Sequence, residues 1–132
     1  MSSFLINPVF LVAIGGAIGS VARYKTVLWT TQQLASAVFP WGTFTVNVLG
    51  CCMIGVMAGV SERFDLISAE ARLLLFTGLM GGFTTFSAFG LETVQLMRKG
   101  ELLIASSYVL GSVAAGLLAL WVGSMVTQLF AK

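Results

Sequence analysis

Histidine is absent from this sequence, and charge is scarce: Asp, Glu, Lys and Arg together make up 9% of its 132 residues. Without histidine there is no imidazole proton relay and no histidine-ligated metal. No nucleophile–histidine pair can be assembled either, so an enzyme is the least favoured class. Cysteine occurs twice, as the neighbours Cys51 and Cys52. Vicinal cysteines rarely bridge, and this pair does not have the spacing of a metal site. The two read as small packing residues. No phosphate-cradling loop occurs, and a net charge of +2 leaves no nucleic-acid footprint.

What is present is hydrocarbon. Hydrophobic residues make up 58% of the chain, too many for the polar surface of a soluble fold. Uncharged stretches cover residues 1–22, 26–61, 73–91 and 102–131. Roughly 20 apolar residues cross a bilayer core as a helix, so each stretch holds one span. Pro40 divides the second stretch, because proline suits the first turn of a helix. The pattern predicts an all-α membrane protein of a single domain, 1–132, with helices near 4–29, 40–60, 70–97 and 102–130. The first segment lacks a basic leader and a cleavage site, so it reads as a mature span rather than a signal peptide.

Lysine and arginine in the loops orient membrane helices. One side carries Arg23, Lys25, Arg98 and Lys99; the other carries Arg63, Arg72 and Lys132. Four against three gives almost no bias. The chain is therefore expected to insert both ways up, which makes an antiparallel homodimer available, its two-fold axis in the membrane plane. Four helices enclose little lumen, so a transport path calls for a second subunit. Small residues at helical spacing predict close helix contacts at Gly15 and Gly19, at Gly55 and Gly59, and at Gly111, Ala115 and Ala119.

Polar residues within spans are costly unless partnered or wet. Thr43 and Asn47 share one face of the second span, and Tyr108 and Ser112 one face of the fourth. The third carries Thr84, Thr85, Ser87 and Glu92. Uncharged donors suit an anion that must shed water and still leave again. They equally suit helix stapling, although Asn47 is costlier to bury and points to function. The stretch "GGFTTFSAFG", Gly81 to Gly90, interrupts the third span. Glycine and threonine are weak helix formers, and broken backbone is tolerated at membrane depth only where it is buried or lines a site. The predicted break covers Gly81–Thr85. Freed carbonyls there could ligate a hard cation such as Na⁺. Phe86 and Phe89 follow on one face, where ring edges could meet an anion or simply pack.

The segments "GGAIGSVARY", "PWGTFTVNVLG" and "TGLMGGFTTFSAFGLE" resemble the Fluc (CrcB) fluoride channels of bacteria over essentially the whole chain. The resemblance implies a passive, fluoride-specific channel in the bacterial inner membrane that lets F⁻ leave the cytoplasm. It implies an antiparallel, dual-topology homodimer with two pores and a structural Na⁺ held by the backbone carbonyls of Gly81 and Thr84. It assigns Phe86, Phe89, Asn47, Ser87, Tyr108, Ser112 and Thr43 to the fluoride path. Arg23, matched to the end of the first helix, and Glu92 take vestibule or structural roles. Ala88 stands where many relatives have a hydroxyl, so one member of the polar track is missing. The rival is a small four-helix multidrug antiporter, which needs an embedded carboxylate early in the chain; the first span has none. A non-transporting scaffold would need neither the polar track nor the break.

Overall fold

The computed structural model describes residues 7–130. Four helical spans cover Pro8–Gln33, Trp41–Phe64, Ala69–Arg98 and Leu102–Leu129, each long and apolar enough to cross a membrane. Among the described residues there is no strand. The first span starts where Asn7 accepts the Val9 N–H at 2.9 Å, with Pro8 in the turn where a missing N–H costs nothing. Its predicted start near residue 4 lies outside the described residues. Its end runs four residues past the predicted 29, since no glycine or proline intervenes and Thr30 donates its hydroxyl back to the Thr26 carbonyl. The second span stops at Asp65, whose φ of 47° ends the helix. A turn through Gly100, φ 79°, joins the third span to the fourth; the left-handed backbone there favours glycine.

Most large apolar side chains point outward, as lipid-facing helices require, and the interior is small. One buried cluster is Val46, Met80 and Phe83; the other is Leu96, Ala105 and Tyr108. Close packing rests on glycine. A side chain at Gly15 or Gly19 would strike the backbone of the third span, and one at Gly55 or Gly59 would strike the fourth. Within the single chain Gly111 makes no such contact, since open space lies beside it. On the fourth span the stripe in contact is Gly116 and Gly123, which face Cys51 and Cys52.

The third span is irregular over most of its length. It opens as an α-turn, Ala69–Arg72, widens to a π-helix over Leu73–Met80, returns to α over Gly81–Phe83, and resumes at Phe86–Arg98. The break is thus narrower than the predicted Gly81–Thr85. Gly81 is helical at φ −61° and ψ −37°. Only Thr84 (φ −85°, ψ 159°) and Thr85 (φ −150°, ψ 122°) are extended. Gly82 is also helical, and glycine is required there because the backbone of the first span, at Gly16 and Ser20, leaves no room for a side chain.

Candidate functional site

Two extended residues in a span release several backbone groups, and each must find a partner. Three side chains supply them. Asn47 accepts the Thr85 N–H at 2.8 Å through Oδ1 and donates Nδ2 to the Thr85 carbonyl at 2.9 Å, a two-point clamp from the second span. Arg23 donates Nη1 to the Thr84 carbonyl at 3.2 Å. Thr85 caps the resumed helix, its hydroxyl accepting the Ala88 N–H at 3.2 Å. The Thr84 hydroxyl closes back on the Met80 carbonyl at 2.9 Å. Because Asn47 takes the Thr85 N–H, the Gly81 carbonyl loses its ordinary helical donor. Gly81 and Thr84 bound the run of four carbonyls, residues 81–84, that the extended pair takes out of the helical ladder; such neutral oxygens fit a hard cation. The space beside Gly81 is open within 4 Å.

A second polar cluster lies further along. Glu92 accepts the Thr43 hydroxyl at 2.7 Å on one carboxylate oxygen and the Tyr108 hydroxyl at 2.7 Å on the other. Thr43 is 3% exposed and Tyr108 is fully buried. A hydroxyl has one proton, so both are committed to Glu92 and neither faces an anion as a donor. Tyr108 also stacks on Phe89, ring centres 5.0 Å apart, and Phe39 meets Tyr108 edge-on at 5.4 Å.

These pieces meet in a groove of about 500 Å³ lined by Asn47, Thr85, Phe86, Phe89 and Ser112. The Phe86 and Phe89 rings lie 5.6 Å apart. Phe86 is 84% exposed in the single chain. The Ser112 hydroxyl is buried with no hydrogen-bond partner. A recess of about 250 Å³ at the end of the bundle has Thr43, Glu92, Gln95 and Lys99 in its wall. The Glu92 cluster and the Phe89–Tyr108 stack connect the two spaces.

The family profile described as "CrcB-like protein, Camphor Resistance (CrcB)" matches residues 10–124. The chain belongs to the CrcB family. Members similar to it include the "Fluoride-specific ion channel FluC" of Methylobacillus flagellatus, 50% identical over 87% of this chain and 90% of the relative. The proteins of the same name from Rhizobium leguminosarum and Chloroflexus aurantiacus are 47% and 43% identical, over 92% and 89% of this chain and 96% and 93% of theirs. Four apolar spans and these bacterial relatives make this CrcB-family chain a multi-pass bacterial membrane protein.

Within this CrcB-family fold, Phe86, Phe89, Asn47 and Ser112 share the groove, with Gly81 and Thr84 on its wall. Ser87 stands beside it, exposed, its hydroxyl 3.4 Å from that of Thr85. Thr43 and Tyr108 turn instead to Glu92. Arg23 differs most from expectation. Because the first span continues to Gln33, Arg23 lies past its middle rather than at its end, and Lys25 lies inside the span as well. Counting only the charges in loops and in the end turns of the spans leaves two, Arg98 and Lys99, against three, Arg63, Arg72 and Lys132, and the charge bias stays slight. Thr85 is the site residue that sequence reasoning under-weighted. Its signal was present: a hydroxyl residue directly before a helical run marks a helix start.

Proposed function

We propose that this chain is a fluoride-specific channel through which F⁻ leaves the cell down its gradient, with no nucleotide or proton coupling. It works as an antiparallel homodimer with two pores. The observation that carries this reading is the groove. An unpartnered, buried Ser112 hydroxyl, the remaining Asn47 N–H and the Phe86 and Phe89 rings converge there, in a chain whose relatives are named for fluoride. One Asn47 proton goes to Thr85, so one is left for an anion. Phenyl edges are electropositive and stand in for water without holding the ion too firmly. The exposure of Phe86 and the open side of Gly81 suit burial against a second copy.

The carbonyls of Gly81 and Thr84 would hold a structural Na⁺ between the two copies. Bound there, the ion offsets the mutual repulsion of carbonyl dipoles from the two breaks. The residues of this chain do the rest: Asn47 fixes the break, Thr85 starts the resumed helix, and that helix presents the two rings. A cation antiporter is disfavoured because both Glu92 oxygens are already engaged by Thr43 and Tyr108. The test is efflux from liposomes containing purified protein, followed by ion-selective electrodes. Fast fluoride loss without chloride loss is expected. Equal efflux of both anions, or none, refutes the proposal.

A further inference from the structure

We propose that Arg23 sets the charge selectivity of the cation site at the helix break, admitting a monovalent ion and turning a divalent one away. The inference rests on the sodium reading above and deepens it. Arg23 is half-buried, and its guanidinium donates to the Thr84 carbonyl, one of the two oxygens assigned to the ion. Both oxygens are neutral. Among the described residues no group of three or more His, Cys, Asp or Glu gathers to hold a metal. The side chains that bond the break's backbone are Asn47, Arg23, Thr84 and Thr85, and none of them is anionic. Carbonyl oxygen serves Na⁺ and Ca²⁺ alike, so ligand type does not separate them.

A fixed positive charge does separate them. Coulomb repulsion grows with the charge of the incoming ion, so Ca²⁺ is repelled twice as strongly as Na⁺ at the same distance. In an antiparallel dimer each subunit contributes one guanidinium, and the ion faces both. Part-burial lowers the local dielectric and strengthens the effect. Among the described residues no carboxylate pairs with Arg23 to cancel it. A carbonyl oxygen has two acceptor positions, and Arg23 fills one at Thr84 while leaving the other for the ion. The arrangement weakens Na⁺ binding somewhat and excludes divalent ions strongly. It also keeps the Thr84 carbonyl partnered before an ion arrives.

Arg23 as a mere clasp on the break makes a different prediction, and thermal unfolding of the purified dimer in detergent separates the two. The buffer contains N-methylglucamine chloride at fixed ionic strength and is titrated with NaCl or CaCl2. The wild-type midpoint is expected to rise with Na⁺ and not with Ca²⁺, and R23K, which keeps the charge, should behave alike. R23Q should half-saturate at a Na⁺ concentration about tenfold lower and gain a response to Ca²⁺. An unchanged Na⁺ titration with continued indifference to Ca²⁺ in R23Q overturns the inference. So does a wild-type dimer that Ca²⁺ stabilises as well as Na⁺. If wild type responds to neither ion, the sodium reading fails along with it. A mixed dimer of one R23Q and one wild-type copy covers the case in which the doubly neutral dimer does not assemble. It should show an intermediate shift, and no shift in it also overturns the inference.

Discussion

Glu92 accepts from two buried hydroxyls, one on each carboxylate oxygen, and the consequences of changing it are correspondingly unequal. E92L strands Thr43 and Tyr108, at a cost of about 1–3 kcal/mol for each unsatisfied group. Y108F removes one donor and leaves Glu92 its Thr43 bond, for about 1 kcal/mol. The triple variant T43V/E92L/Y108F replaces every partner by an apolar group and is expected to recover most of the loss. Denaturation of all three in detergent checks the order, and a triple variant less stable than E92L would contradict it. At Phe86 and Phe89 the chemistry of the ring edge can be separated from its bulk. Isoleucine at either site keeps an apolar side chain but has no electropositive edge. Fluoride efflux should drop at least about tenfold with the dimer still intact by size-exclusion chromatography, the equivalent of about 1.4 kcal/mol on the barrier. Wild-type flux in both variants would reduce the rings to packing.

At the scale of the element, the third span is where the structure departs from a regular helix, and the glycines beside the break do two different jobs. Gly19 lies against the Leu79 carbonyl and the Phe83 N–H, inside the contact between the first and third spans. Even a methyl group there forces the two backbones apart, at a cost of about 1–3 kcal/mol or more. A methyl group at Gly81 would meet no atom outside its own helix turn within 4 Å in the single chain. G19A is therefore expected to lower the yield of folded protein, whereas G81A should fold and lose dimer affinity. Chemical crosslinking and thermal denaturation of the two variants distinguish these outcomes; a G81A dimer as tight as wild type would place Gly81 away from the two-fold axis. T85A removes the cap of the resumed helix at about 1 kcal/mol and leaves the Asn47 clamp on the backbone untouched, so its effect should be smaller than that of N47A, which frees both the N–H and the carbonyl of Thr85.

For the whole molecule, the question is orientation and assembly. Loop lysine and arginine are close to balance even after Arg23 and Lys25 are assigned to the first span. Both orientations should therefore be present in one membrane. A single loop cysteine, introduced after Cys51 and Cys52 are replaced, should react with an impermeant reagent from either side. Labelling from one side only would rule out dual topology. Several lysines added to one loop set should force one orientation and abolish efflux when that variant is expressed alone.

The four spans were legible in the sequence because apolar length is a local property, read without knowing what any residue touches. Pro8 and Pro40 lie beside the first two helix starts for the same local reason. That the third span would break was also legible, from weak helix formers in an uncharged run. Where it breaks was not. The extended backbone falls on Thr84 and Thr85 because Asn47 and Arg23, which lie 38 and 61 residues away in the chain, supply the partners that make it tolerable. The sequence presents Thr43 and Tyr108 as free donors, and only the approach of Glu92 from the third span shows that their protons are taken. Gly116 and Gly123, rather than Gly111, form the contact stripe of the fourth span because the second span happens to cross there. Hydrophobic runs determine how many helices cross the membrane; which backbone groups go unpaired, and which side chains rescue them, is decided only when helices distant in sequence are packed side by side.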